Sequence, residues 1–197
     1  HYMTEAATKL AISALRLDVV KEPLGLSAAS KAYRYNNPDV FSLIEFDEGS
    51  SFVGVSHRHR ALGSSLQYGL VDEERKINVN VADRTTLRRL IGRLTNLSEQ
   101  DIYVIVESII DWREIGHSQL IGLSSDEYYA SLPYPYAKKE APFELVEEVL
   151  LVQGMSEEVF NAIKPFITIY GDGLVNINTA PLEVLVALGL DESIAEK

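Results

Sequence analysis

Carboxylates are the groups this chain supplies most freely for chemistry. Asp111 closes a helical run, "IIDWRE" (109–114), and Glu114, Asp126 and Glu127 lie in or beyond the loop that follows. A loop folding back onto Asp111 would gather oxygen donors, and calcium takes six to eight of them, many from loops. No EF-hand spacing is present. His57 and His59, in "HRHR" (57–60), match neither HExxH nor any spacing that puts two ligands on one helical face. The chain has no cysteine, which excludes disulfides, thiolate nucleophiles and zinc–sulfur centres. GxSxG, Walker and GxGxxG patterns are absent, and "GDG" (171–173) is turn chemistry. No paired acids at a defined geometry support a hydrolase.

A second pattern is polar without being reactive. "INVNVADRTTLRRL" (77–90) and "VNINTAPLEVLVAL" (175–188) correspond at an offset of 98 residues, with both asparagines, the alanine and two leucines identical. Alternation sends the branched apolar side chains to one face and the asparagines to the other. Asparagine is depleted in strands. Here the second asparagine of each pair, Asn80 and Asn178, is placed to bond backbone groups where strand becomes helix. The repeat predicts a stabilised strand-to-helix corner used twice, and substitution of either asparagine should lower stability.

The elements around these groups follow from periodicity. Residues 4–21 are Ala- and Leu-rich with helical spacing of apolar positions, Thr4 able to cap and Pro23 able to stop the run. The segments 41–46, 50–57, 65–71 and 76–80 read as short strands of a small antiparallel sheet. Helices are predicted at 84–94, from Ser98 to about Glu114 with apolar positions 102, 105, 106, 109 and 110, at 143–154 ending on Gly154, and from Ser156 to Pro165. Residues 166–178 read as a β-hairpin around the Gly-Asp-Gly turn. Thr179 is the predicted cap, and Pro181 the first-turn proline, of a last helix. The expected class is α+β, divided as 4–82 (helix and first strands), 83–164 (helical insert) and 165–197 (returning hairpin and helix).

The chain has 197 residues, 46% hydrophobic and 24% charged, with a formal net charge of −11. That field opposes a phosphate backbone and disfavours nucleic-acid binding. The alternative reading, a helix–hairpin–helix nucleic-acid module at "LLVQGMSEEVFNAIKPF" (150–166), meets the same objection, because its flanks carry Glu147, Glu148, Glu157 and Glu158. Short basic spots such as Lys138-Lys139 read as solvated. No apolar run reaches membrane-spanning length. The opening "HYM" reads as a cloning remnant with further sequence expected upstream, and "LDESIAEK" reads as a helix still in progress.

"GLVNINTAPLEVLVALGL" (173–190) resembles the general secretion pathway protein K family, the large minor pseudopilin of bacterial type II secretion systems. Family-like pieces occur in order at "GLVDEERKINVN" (69–80), "IIDWRE" (109–114), "EYYASLPYPYAKKEAPFELVEEVLLVQGMSEEVF" (127–160) and "PFITIYG" (165–171). The resemblance implies a pilin-like N-terminal helix packed on an antiparallel sheet, with a large helical, helix–hairpin–helix-like domain inserted between strands. It implies a non-enzymatic protein at the tip of the periplasmic pseudopilus, partnered by the I and J minor pseudopilins, that initiates or limits pseudopilus growth. It also implies an N-terminal apolar anchor helix that this sequence does not contain, and a partner-facing helix surface at Leu10, Ala14 and Leu17. Family members can bind Ca2+, and the match of Asp111 and Glu127-Tyr128-Tyr129 makes Asp111 and Glu127 the candidate ligands. The acids that normally lie between them are reduced here.

Overall fold

A computed structural model describes residues 5, 8–9, 11–13, 41–42, 44–46, 51–59, 65–115 and 125–195. The chain divides into two compact units between Asp72 and Glu73. Residues 165–195 belong to the same unit as the helices of 83–164.

In the first unit, residues 5, 8–9 and 11–13 are helical, with Ala11 buried and Ile12 exposed. Leu10, Ala14 and Leu17 lie outside the described residues. Strand β1 (Ile44–Phe46) pairs antiparallel with β2 (Ser51–Val53), and β3 (Ser56–His59) with β4 (Ser65–Tyr68). Among the described residues these are two separate ladders rather than one sheet. Gly54 and Val55 break the run. The Val55 amide bonds the Phe41 carbonyl at 2.8 Å, and a Cβ on Gly54 would meet the Ser42 carbonyl oxygen at 2.9 Å. His57 and His59 stand opposite Gln67 and Ser65 in the second ladder.

The second unit is helical around one short parallel pair. β5 (Ile77–Asn78) and β6 (Ile167–Thr168) pair with Ile77 opposite Ile167 and Asn78 opposite Thr168. Parallel strands need a long crossover, and everything from Val79 to Phe166 supplies it. The expected hairpin at 166–178 is not formed. Its first arm joins β5, where Ile167 and Thr168 are buried. Its second arm leaves beside Glu74, whose carbonyl accepts the Asn176 amide at 2.8 Å. The turn between them is held by the Asn78 side chain, which donates to the Tyr170 and Gly171 carbonyls at 3.1 and 2.9 Å. Gly171 and Gly173 do take positive φ there.

Helix α1 (Arg84–Leu94) starts where the Asp83 carboxylate accepts the Thr86 amide at 2.7 Å. It buries Leu87, Leu90 and Ile91 at helical spacing. Its last turn closes on Thr95, whose hydroxyl donates to the Ile91 carbonyl at 2.8 Å. Helix α2 (Glu99–Arg113) is capped by Ser98, which accepts the Asp101 amide at 3.2 Å, and it buries Ile102, Ile105, Val106, Ile109 and Ile110. A short helix α3 (Ser125–Ala130) follows.

The helix expected over 143–154 is instead a 3-10 turn, Val146–Leu151. Side chains set the later start: Asn80 holds both backbone groups of Phe143 outside the turn, and Glu148 caps its N-terminus. Asn80 takes the Phe143 amide, and the Glu148 carboxylate takes those of Glu144 and Leu145 at 3.0 Å each. Helix α4 (Glu157–Ile163) is capped by Ser156, and α5 (Leu182–Ala187) and α6 (Glu192–Ala195) complete the unit. Pro181, not Thr179, occupies the N-cap of α5. The Thr179 hydroxyl turns back to the Asn176 carbonyl at 3.3 Å. Helix α1 packs against α2, α4 and α5, so the two corner helices meet in one core.

Two substitutions test this architecture. Asp83→Ala should cost about 1 kcal/mol in urea melts at neutral pH. The amide bond from Thr86 holds the Asp83 carboxyl below its usual range. This contribution is therefore present above the unfolded carboxyl pKa and is lost as pH falls through the folded value, so the variant and wild type should converge in acid. Gly154 has φ +84°, and a Cβ there would sit 3.0 Å from Ile105 Cγ1. Gly154→Ala should destabilise by more than about 1 kcal/mol in the same assay.

Candidate functional site

The last turn of α2 converges on the first asparagine corner. Arg113 is buried there and donates from Nη1 to the Val79 carbonyl at 2.5 Å and from Nη2 to the Ala82 carbonyl at 2.9 Å. Burial lowers its pKa and the nearby Glu114 carboxylate opposes that shift. An arginine stays protonated under such a perturbation, so the corner is held by a permanent charge. Asn80 completes the junction. Its Nδ2 donates to the Phe143 carbonyl at 3.0 Å and its Oδ1 accepts the Phe143 amide at 2.7 Å. One side-chain amide thereby pairs with both backbone groups of a residue far along the chain, as a neighbouring strand would.

Trp112 stacks on Phe143, with ring centroids 6.3 Å apart and planes inclined 13°, and meets the edges of Tyr129 and Tyr136 at 5.7 and 6.2 Å. The Tyr129 hydroxyl accepts the Gln153 amide at 3.2 Å, and burial raises its pKa strongly. Asp111 points elsewhere: its Oδ1 accepts a 3.0 Å hydrogen bond from Lys138 Nζ, and both side chains are 5% exposed. Burial disfavours the ammonium, but the hydrogen bond and charge of Asp111 outweigh it and the Lys138 pKa is raised. Asp111 Oδ2, Trp112 Nε1, Arg113 Nε and Ser108 Oγ are buried without a hydrogen-bond partner, all on the C-terminal turns of α2.

Of the two sequence-predicted ligands, Asp111 lies on α2 and Glu127 on α3. Asp111 is buried in an ion pair, whereas Glu127 is exposed on α3. Glu114 lies 3.4 Å from Arg113. Among the described residues no three His, Asp or Glu side chains are grouped to hold a metal. Residues 116–124, outside the described set, are "GHSQLIGLS" and contain no carboxylate. Asp111 Oδ1 is taken by the Lys138 ammonium, which also lies 3.5 Å from Glu140 Oε1 and 3.9 Å from Asp126 Oδ1, so the acids at the end of α2 surround a cation that the chain itself supplies. Lys138 and Arg113 were invisible as site residues in the sequence. The usable signal was two lysines beside a buried aromatic run in a strongly acidic chain.

The second corner reproduces the first bond for bond. Asn78 Oδ1 accepts the Asn80 amide at 2.9 Å, and Asn176 Oδ1 accepts that of Asn178 at 3.2 Å. The Asn78 carbonyl accepts from Val81 and Ala82, as the Asn176 carbonyl does from Thr179 and Ala180. Each corner then opens a helix, with Leu87 bonding Asp83 and Leu185 bonding Pro181, both at 3.1 Å. The surroundings differ. Asn178 is exposed and donates only to Asn176 Oδ1 at 3.2 Å. Ile177 is 65% exposed where Val79 is 1%, and Leu188 is 38% exposed where Leu90 is fully buried.

In these features the residues of the sequence motifs are engaged in holding the fold. The chain matches the family model for type II secretion system (T2SS) protein K over residues 65–172, more than half its length, and it belongs to that family. It is similar to a chain in the crystal structure of the GspK-GspI-GspJ complex from the enterotoxigenic Escherichia coli type 2 secretion system, with TM-score 0.65 and 20% identity. That match covers 95% of this chain and 64% of the other, so this chain spans a little under two-thirds of its relative. At that identity the likeness is one of fold. No curated protein matches the sequence.

The two corners separate in a stability test. Asn80→Ala leaves the Phe143 amide and carbonyl unpaired in a largely buried place and should cost about 2–4 kcal/mol in denaturant melts. Asn178→Ala should cost below about 0.5 kcal/mol, as exposed substitutions do. Equal losses would mean that the clamp on Phe143 is not what stabilises the first corner.

Proposed function

We propose that this chain is the globular part of a non-enzymatic minor pseudopilin, which joins I- and J-type minor pseudopilins at the tip of the type II secretion pseudopilus and helps start or limit its growth. The observation that carries this reading is the family match over 65–172, which includes the first corner, the Asp111-Trp112-Arg113 turn and the aromatic core. The K-I-J complex of the structural relative supplies the partner class. On this reading residues 83–164 are a helical insert between sheet-bearing segments 4–82 and 165–197, and the helix carrying Leu10, Ala14 and Leu17 faces the partners. The whole protein would be periplasmic, held to the inner membrane by an apolar N-terminal helix. No helix among the described residues is long and apolar enough to cross a membrane.

The test is reconstitution. Mixed with soluble I and J pseudopilin domains at micromolar concentration, the chain should elute as a single stoichiometric complex in size-exclusion chromatography with light scattering. Separate elution of all three, with the circular dichroism of this chain intact, would overturn the assignment.

A further inference from the structure

We propose that the Lys138 ammonium is the resident cation of the acidic pocket at the end of α2, and that the folded chain neither needs nor takes up a divalent ion there. The geometry centres on the lysine. Its Nζ lies 3.0 Å from Asp111 Oδ1, 3.5 Å from Glu140 Oε1 and 3.9 Å from Asp126 Oδ1. These three carboxylates come from α2, α3 and the loop after it, so one ammonium ties three segments together. Asp111 and Lys138 are both almost fully enclosed, and such a pair persists in a dry site only when each charge is met by the other.

The backbone carries a second, independent sign. Glu140 is the non-glycine residue with positive φ, +49°, among the described residues. That left-handed conformation is uncommon for a glutamate and costs free energy. It occurs two residues after Lys138, at the residue whose carboxylate lies beside the ammonium. This backbone brings the Glu140 carboxylate beside the ammonium, 3.5 Å from Nζ.

The ammonium occupies the place a divalent ion would need. An ion ligated by Asp111 would face the ammonium across a single carboxylate, and two cations at that separation repel. Glu114 is beside Arg113 at 3.4 Å. The lysine therefore does with one covalently attached charge what a bound ion would otherwise do, namely neutralise Asp111 and dock the 125–140 segment on α2.

Thermal melts of the whole chain provide the test. Wild type should melt at the same temperature, within about one degree, in millimolar calcium and in chelator. Lys138→Met should melt several degrees lower in chelator, because Asp111 is left buried and unpaired, and calcium should recover part of the loss. The double variant Asp111→Asn with Lys138→Met should melt above the single variant and ignore calcium. Saturable calcium binding by wild type in calorimetry, or a wild-type melt raised several degrees by calcium, would overturn the proposal. So would a Lys138→Met protein as stable in chelator as wild type. If the single variant does not fold, the wild-type melts and the double variant still separate a lysine-filled pocket from a calcium site.

Discussion

The helical unit depends on one buried guanidinium. Arg113 sits at the C-terminus of α2 and bonds two carbonyls of the corner that precedes α1. Without it, those carbonyls would be enclosed with no partner, and unmade bonds in a dry site cost more than made ones contribute. The neighbouring residues work in the same small volume. Asp111 anchors the 125–140 segment through Lys138, and Trp112 anchors Phe143. Phe143 in turn is fixed by Asn80 of the very corner that Arg113 holds. The circuit closes on itself: α2 to corner, corner to Phe143, Phe143 back to α2.

Against that circuit, the duplicated corner separates two things usually confounded. The local conformation of the corner needs only its own asparagines, because it recurs at 176–178 without an Arg113 or a Phe143. Burial needs the distant partners, because Val79 and Leu90 are enclosed whereas Ile177 and Leu188 are not. The turn is therefore a property of short-range sequence, and the core around it is a property of what the rest of the chain delivers.

The same division explains how much could be read in the sequence. Helix α1 was legible to the residue, at 84–94, as were the Ser98 and Ser156 caps and five of the buried positions of α2, because all rest on spacing within a few residues. The α+β class was legible for the same reason. The parallel pairing of Ile167 with Ile77 was not, because a Gly-Asp-Gly turn between two alternating arms is locally a hairpin and only the distant Asn78 side chain decides otherwise. Nor was the 3-10 turn at 146–151, whose start is set by the distant Asn80 holding Phe143 and by Glu148 capping the turn. The candidate site was half legible. Asp111 was found, but as a ligand in waiting, since its partner Lys138 looked like one of a solvated pair until the fold enclosed it.

The β5–β6 pair has a consequence for the order in which the chain can fold. Helices α1 and α2 are specified by spacing and caps within a few residues, whereas α1 completes its packing only with the sequence-distant α4 and α5. The ladder that closes the unit joins Ile77 to Ile167, so its loop-closure entropy is met only after nearly the whole second unit exists. Until then Ile77 and Val79, both destined for the core, have no lid. The parallel pair is therefore the latch that covers this apolar edge, and it joins two points 90 residues apart in the chain.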